Sequence, residues 1–362
     1  MIIKECVVSA NYKKLGEIVE LIDERNKALE SSEVLGISID KEFMPSVANT
    51  IGTDLSNYKL LRMNTFACNP MHVGRDERLP VSLYKIDVPA IVSPAYFMFR
   101  VKDENEVLPD FLMLIFKRAD FDRNCWFRTD GSVRGGITWN DICEIELPVP
   151  DLKEQEKIVN TYSCLTKRIQ LKQKINENLE KTAQTIYEEM FCKEEKDWKN
   201  GLVGDVLQLQ RGHDLPRAEM KEGSYPVTGS TEIIGFHNEY TTPSPVIVMG
   251  RSGNIGKPRM YFCDCWVHNT ALYVKQFLDS EPIWCYYLLK NLNYLNFTGG
   301  SAVPTLDRKV VHSQIIKIPP LKIQKDFSSK IKILLLKKVE NEKQISKLQE
   351  LKQLVISRIS GM

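Results

Sequence analysis

Between Val246 and Pro258 the chain reads Val-Ile-Val-Met-Gly-Arg-Ser-Gly-Asn-Ile-Gly-Lys-Pro. An apolar, strand-like run leads into a glycine-rich turn carrying Arg251, Ser252, Asn254 and Lys257, with Arg259 just beyond. Glycines let backbone amides come close to an anion and the cations supply charge, so the turn has the makings of a phosphate cradle. A plain surface turn is the competing reading. A nucleotide-hydrolysing loop does not fit. Five residues separate Gly250 from Gly256, and Pro258 stands where a hydroxyl residue would hold magnesium.

Other chemistry-bearing residues assemble less. Cys263-x-Cys265-x-x-His268 has the residue types of a metal site but lacks a second, correctly spaced pair. His72, His213, His237, His268 and His312 form no i, i+4 pair, and no Gly-x-Ser-x-Gly elbow occurs. Asn69-Pro70-Met71 lacks the second proline and the aromatic residue of the adenine-methyltransferase motif. Asp151 and Glu154, three residues apart before a long polar helix pattern, read as a capping box rather than as nuclease carboxylates. These residues make no catalytic site.

The elements that must carry the turn are organised by two long helices. After Leu147-Pro148-Val149-Pro150, a stretch without proline or glycine repeats apolar residues three and four apart: Ile158, Tyr162, Leu165, Ile169, Leu179, Ala183, Ile186 and Met190. Lys172 and Asn176 are polar members of the same seam. This is a coiled-coil pattern in which polar positions fix register at some cost in stability. An offset of 169 residues superposes Leu152-Lys153-Glu154-Gln155 on Leu321-Lys322-Ile323-Gln324 and yields a second seam. That seam runs through Phe327, Ile331, Leu334, Lys338, Asn341, Ile345, Leu348, Lys352, Val355 and Ile359. The pairing residues expected between the helices are Ile158, Leu165, Ile169, Leu179 and Ile186 with Ile331, Leu334, Ile345, Leu348 and Val355.

The rest repeats in the same order. Leu15-Gly16-Glu17-Ile18 matches Val203-Gly204-Asp205-Val206. The buried helix expected from Pro109 to Arg118 matches Glu281–Lys290, and Gly131-Ser132 matches Gly300-Ser301. Strands are expected at 33–40, 58–67, 81–87, 95–101, 245–249 and 271–275, with loops at 41–57 and 128–140. Short strands without regular helix alternation imply a mixed α/β (α+β) fold with mostly antiparallel sheet. The domains expected are a first globule at 1–150, a long helix and linker at 151–197, a second globule at 198–320 and a second long helix at 321–362. A helix that leaves one globule and another that returns to it must run antiparallel, which gives a pseudo-twofold internal repeat.

The chain has 362 residues and a formal net charge of +2, so total charge does not announce a polyanionic partner. Distribution says more: residues 1–150 carry 18 basic and 23 acidic side chains, whereas residues 321–362 carry ten basic and four acidic ones. A solvated helix face and a patch for an acidic partner both fit this basic end. Nine scattered cysteines suit a reducing cytoplasm, and neither a signal peptide nor a membrane span is expected.

In this order the motifs resemble the specificity subunit of a Type I restriction–modification enzyme. The resemblance runs the length of the chain. Its markers are 12–26 and 199–213, Tyr225-Pro226-Val227, Ile234-Gly235-Phe236-His237-Asn238, Gly250–Gly256, His268-Asn269-Thr270 and Gly300–Leu306. The two Pro-x-Leu-Lys-x-Gln helix entries complete them. Asn69-Pro70-Met71, Ser93-Pro94-Ala95-Tyr96 and Arg134–Trp139 look like first-half counterparts. The resemblance implies a non-catalytic, cytoplasmic chain with two target-recognition domains, each reading half of a bipartite, asymmetric site in double-stranded DNA. It implies helices that set the spacing and dock two methyltransferase (modification) subunits, with restriction/translocase subunits in the full complex. S-adenosylmethionine, ATP and Mg would belong to those partners, and this chain would hold no cofactor or metal. DNA contacts are expected from Arg62, Arg75, Arg78 and Arg134 in the first half and from Arg211, Arg251, Ser252, Asn254, Lys257 and Arg259 in the second. An adaptor whose stalk joins two other ligand-binding modules is the alternative.

Overall fold

Gln155 and Gln324, the last residues of the two helix-entry motifs, are buried to within 1% of complete enclosure. Both sit in the first turn of a 40-residue helix. The computed structural model describes residues 11–47, 52–71, 73–129, 135–193, 197–251, 255–294 and 306–360. These form two compact units, Met1–Leu171 with Ile345–Met362, and Lys172–Gln344, so each long helix contributes a segment to both.

In the first unit the elements run β1 (Asn11–Lys14), α1 (Leu15–Ile18), β2 (Val19–Ile22), β3 (Val34–Ile37), β4 (Phe43–Pro45), β5 (Lys59–Leu61) and β6 (Phe66–Cys68). They continue with α2 (Val73–Asp76), β7 (Val81–Leu83), β8 (Ala90–Val92), β9 (Phe97–Val101), α3 (Pro109–Phe116), α4 (Ala119–Phe127), α5 (Trp139–Cys143) and β10 (Glu146–Val149). The long helix α6 (Leu152–Phe191) follows. The second unit has β11 (Lys199–Leu202), β12 (Leu207–Arg211), β13 (Tyr225–Thr228), β14 (Ile233–His237), β15 (Val246–Gly250), β16 (Arg259–Tyr261), β17 (Trp266–Val267) and β18 (Ala271–Phe277). Helices α7 (Pro282–Asn291) and α8 (Arg308–His312), strand β19 (Ile315–Ile318) and the second long helix, α9 (Leu321–Ser360), complete it.

The topology is duplicated. Sheet order β2-β9-β6-β7 in the first unit recurs as β12-β18-β15-β16 in the second. Antiparallel β3·β4 with parallel β3·β8 recurs as antiparallel β13·β14 with parallel β13·β17. The antiparallel ribbon β1·β10 recurs as β11·β19. The sheets are thus mostly antiparallel, as the mixed α+β expectation holds. Residues 58–67 do not form one strand. They split into β5 and β6 of different sheets, because Asn64 takes a left-handed conformation (φ 61°) and turns the chain. The expected loop at 41–57 contains edge strand β4, and Trp139 opens α5, where Thr138 caps the helix by accepting from the Asp141 amide.

Each core is closed by a proline-headed, almost fully buried helix. Helix α3 packs under the first sheet, where Phe66 stacks on Phe99 at 5.0 Å and Phe116 meets both edge-on. Helix α7 does the same in the second unit, with Trp284, Tyr287 and Leu289 sealed from solvent. The two glutamines tie these helices to the long ones. The Gln155 side-chain oxygen accepts from the Leu108 amide (2.9 Å), which precedes α3, while its nitrogen donates to the carbonyls of Glu106 and Pro150 (both 2.8 Å). Gln324 accepts from the Glu281 amide (3.0 Å), which precedes α7, and donates to the Pro319 carbonyl (2.9 Å).

The long helices run antiparallel within each unit. In the first, Lys352 lies 4.8 Å from the Tyr162 ring, and Val355 and Ile359 share a cluster with Ile158 and Val159. In the second, Asn341 donates to Asn176 (2.9 Å), Lys338 pairs with Glu180 (2.8 Å) and Phe327 packs against Tyr187 (5.8 Å). Lys172 donates to Asn341 (3.4 Å), so the polar seam residues satisfy one another. Burial disfavours the charge on Glu180, but the ammonium groups of Lys290 and Lys338 outweigh it and hold its carboxyl below the usual range. Of the seam residues, Ile158, Ile169, Ile331 and Leu348 are buried, and Leu165, Leu179, Ile186, Leu334, Ile345 and Val355 are half-buried. The seam widens to Tyr187, Leu335 and Ile356. Asp151 caps α6 by accepting from the Glu154 amide at 2.9 Å. No helix among the described residues is long and apolar enough to cross a membrane.

Replacing Gln324 by Leu keeps the bulk and leaves the Glu281 amide and Pro319 carbonyl without their partner. The expected cost is about 1–3 kcal/mol. Chemical denaturation measures it, and stability unchanged from the parent would show that the glutamine is not a tie.

Candidate functional site

The second sheet brings three arginines to one cleft. Arg211 ends β12 opposite Leu272 of β18, and on the other side of β18 the end of β15 pairs Gly250 with Ala271. Arg251 follows immediately, its carbonyl accepting from the Leu306 amide at 2.8 Å. Asp307 caps α8 by accepting from the Lys309 amide (2.8 Å), which places Arg308 at the first helical position. Arg211, Arg251, Leu272, Leu306, Asp307 and Arg308 line a cleft of about 420 Å³. A Cβ on Gly212 would lie 2.2 Å from the His268 carbonyl oxygen, so no other residue lets the chain leave β12 this way. Arg211 also donates through Nε to the Asn269 carbonyl (3.1 Å), leaving its two terminal nitrogens to the cleft.

Guanidinium groups stay charged at all physiological pH values and present paired donors. Three of them against one carboxylate make a cationic, bidentate-donor surface with two leucine walls. His312, at the far end of α8, accepts the Leu209 amide on Nε2 at 2.8 Å. Burial, reinforced by the charge of Arg308, pushes its imidazole below the ordinary histidine pKa, so the neutral acceptor form is favoured.

The other candidates are placed differently. Arg259 donates to the Gly229 carbonyl (2.7 Å) and ties the start of β16 to the turn after β13. Lys257 is exposed just after Gly256, whose φ of +75° and 2.3 Å approach to the Tyr294 ring exclude a side chain. Ser252, Asn254 and Arg134 lie outside the described residues. In the first unit Arg62 is held by Glu24 (2.7 Å) and Glu30 (3.1 Å), Arg75 by Asp76 (2.7 Å) and Arg78 by Asp40 (3.5 Å). The Cys263 and Cys265 sulfurs are 4.0 Å apart, while His268 turns to Thr270 (3.1 Å). Among the described residues no three His, Cys, Asp or Glu side chains gather as metal ligands.

The same frame exists in the first unit with different side chains. There the Ile137 amide donates to the Pro70 carbonyl (3.1 Å), as Leu306 does to Arg251, and Thr138 caps α5 as Asp307 caps α8. Pro70 therefore stands for Arg251 and Trp139 for Arg308. By strand register Asp23 stands for Arg211. Asp23 is paired with Arg25 (2.8 Å) and Lys59 (3.3 Å), and the hydrogen bond from Arg25 chiefly holds its carboxyl below the usual range. Trp139 packs on Phe97 and Phe99. Arg308 carries no local sequence signal, since it lies 57 positions from Arg251 and only the fold brings the two together.

Residues 9–181 and 195–353 each match the model of the Type I restriction modification DNA specificity domain. The chain belongs to the Type I restriction–modification specificity family. Its two copies of the family domain each contain one of the two equivalent frames. A specificity subunit from Methanocaldococcus jannaschii, Type I restriction enzyme MjaIX, is 24% identical over 70% of this chain and 68% of its own length. The HindI specificity subunit of Haemophilus influenzae is 29% identical over 29% of this chain and 23% of its own. The fold is that of the crystal structure of the Type I restriction–modification S subunit from M. genitalium, with a TM-score of 0.67 at 16% identity, covering 99% of this chain and 98% of that one.

The lowered His312 pKa gives a signed expectation. An unfolded or locally opened chain takes up the proton more readily, so this contribution to stability is present above about pH 6.5 and is lost as pH falls from there through the folded value. Hydrogen exchange at the Leu209 amide, corrected for intrinsic rate, should accelerate between about pH 7.5 and 5.5. The change should be absent in His312→Gln, and equal protection at both pH values in the parent contradicts it.

Proposed function

We propose that this chain is the non-catalytic DNA-recognition subunit of a Type I restriction–modification complex, and that each unit reads one half of a bipartite, asymmetric site. The observation that carries the reading is one backbone frame built twice with different chemistry at matching positions: Arg211, Arg251 and Arg308 against Asp23, Pro70 and Trp139. Two copies of a frame suit two contacts of the same kind, and different side chains suit different sequences. An adaptor joining two unrelated modules leaves this duplication unexplained.

The long helices supply the spacing and the docking surface in this proposal. Outside the seam they expose Leu171, Ile333 and Leu354 at 61%, 70% and 62%, apolar area that suits two methyltransferase subunits. S-adenosylmethionine, ATP and Mg are assigned to the modification and restriction partners, and the complex acts on double-stranded DNA in the cytoplasm.

The test is a change of helix length. Four residues inserted into α6 together with four into α9 add about 6 Å, roughly one turn, to the antiparallel pair. Methylation profiling of DNA modified by the assembled complex should show both half-sites kept and the spacer lengthened. An unaltered spacer with activity intact contradicts the spacing role.

A further inference from the structure

We propose that the Arg211–Arg251–Arg308 cleft is the element of the second unit that selects a G·C pair, and that the matching place in the first unit makes no such selection. The inference rests on the DNA-recognition reading above and names what one half-site must contain. In the major groove guanine offers two acceptors, O6 and N7, and its partner cytosine offers one N4 donor. A surface that reads this pair needs a forked donor beside an acceptor. The cleft has both: three guanidinium forks, and the Asp307 carboxylate, whose Oδ1 caps α8.

Positioning supports reading over general attraction. The Arg211 guanidinium is held through Nε by the Asn269 carbonyl, and the Leu306 amide fixes the backbone from which the Arg251 side chain starts. Leu272 and Leu306 line the same cleft, so part of its surface is apolar and strengthens hydrogen bonds made beside it. At the equivalent place in the first unit Pro70 has no donor, Trp139 is packed on two phenylalanines, and Asp23 is engaged by Arg25 and Lys59. None of these three positions itself supplies a guanidinium fork to a guanine edge.

The experiment uses the full-length chain assembled with its modification subunits and duplexes carrying its methylated sequence. Each guanine is replaced in turn by 7-deazaguanine, which keeps the base pair and loses N7. For the parent, one replacement in the second unit's half-site should weaken binding by at least several-fold, within the roughly 150-fold that a whole bidentate contact is worth. Arg251→Ala, Arg308→Ala or Arg211→Ala should bind more weakly. At least one of them should no longer distinguish guanine from 7-deazaguanine at that position, while discrimination in the other half-site stays intact and reports correct folding. If all three variants lose affinity for every duplex alike and keep the 7-deazaguanine penalty, the arginines hold phosphates and the proposal is overturned. If the parent complex prefers its own sequence but no second-unit guanine matters, it is also overturned. A parent complex without preference for any sequence overturns the DNA-recognition reading itself.

Discussion

A buried primary amide is a demanding thing to enclose, because each unmet donor or acceptor costs on the order of 1–3 kcal/mol. Gln155 and Gln324 are enclosed almost completely, and their donors and acceptors meet backbone groups on two sides. One side is the turn that starts the long helix, and the other is the residue before the buried helix of the same unit. The glutamine therefore fixes the direction in which each long helix departs from its globular core. Apolar packing alone is tolerant of small rotations, whereas hydrogen bonds to a particular amide and carbonyl are not. The rest of each unit follows from that fixed point: the seam takes its register, and the sheet above α3 or α7 takes its position.

The second constraint is the separation of frame from function. Residues that hold the frame are the same in kind in both copies: the entry glutamines, the proline-headed helices, the antiparallel ribbons and the amide that clamps residue 70 or 251. Residues that face outward from it differ in charge and shape. The clamp acts on backbone atoms, so it accepts proline in one copy and arginine in the other without disturbing the fold. In the proposed reading, this division lets a duplicated domain acquire two specificities, because side chains change at matching places while the hydrogen bonds that position them do not.

Much of this organisation was legible in the chain. The heptad spacing gave the helix pair, because a seam period survives whatever surrounds it, and the 169-residue offset gave the repeat. Lys172 and Asn341 stood out as polar seam positions and meet in the structure. The role of the entry glutamines was not legible, since the motif shows that a glutamine recurs but not that its partners lie 47 and 43 residues away. Arg308 escaped for the same reason. The carboxylate partners of Arg62 and Arg78, namely Glu24, Glu30 and Asp40, are brought by folding from 32 to 38 residues away, whereas Arg75 pairs with its neighbour Asp76. The break between β5 and β6 turned on one backbone conformation at Asn64, which periodicity does not report.

In the proposed function, two copies of one frame recognise two different sequences. Methylation profiling of DNA modified by the unaltered complex measures this directly. The expected result is a single motif made of two unlike half-sites separated by a spacer of fixed length and indifferent sequence. A palindromic motif, or one contiguous block without a spacer, contradicts it.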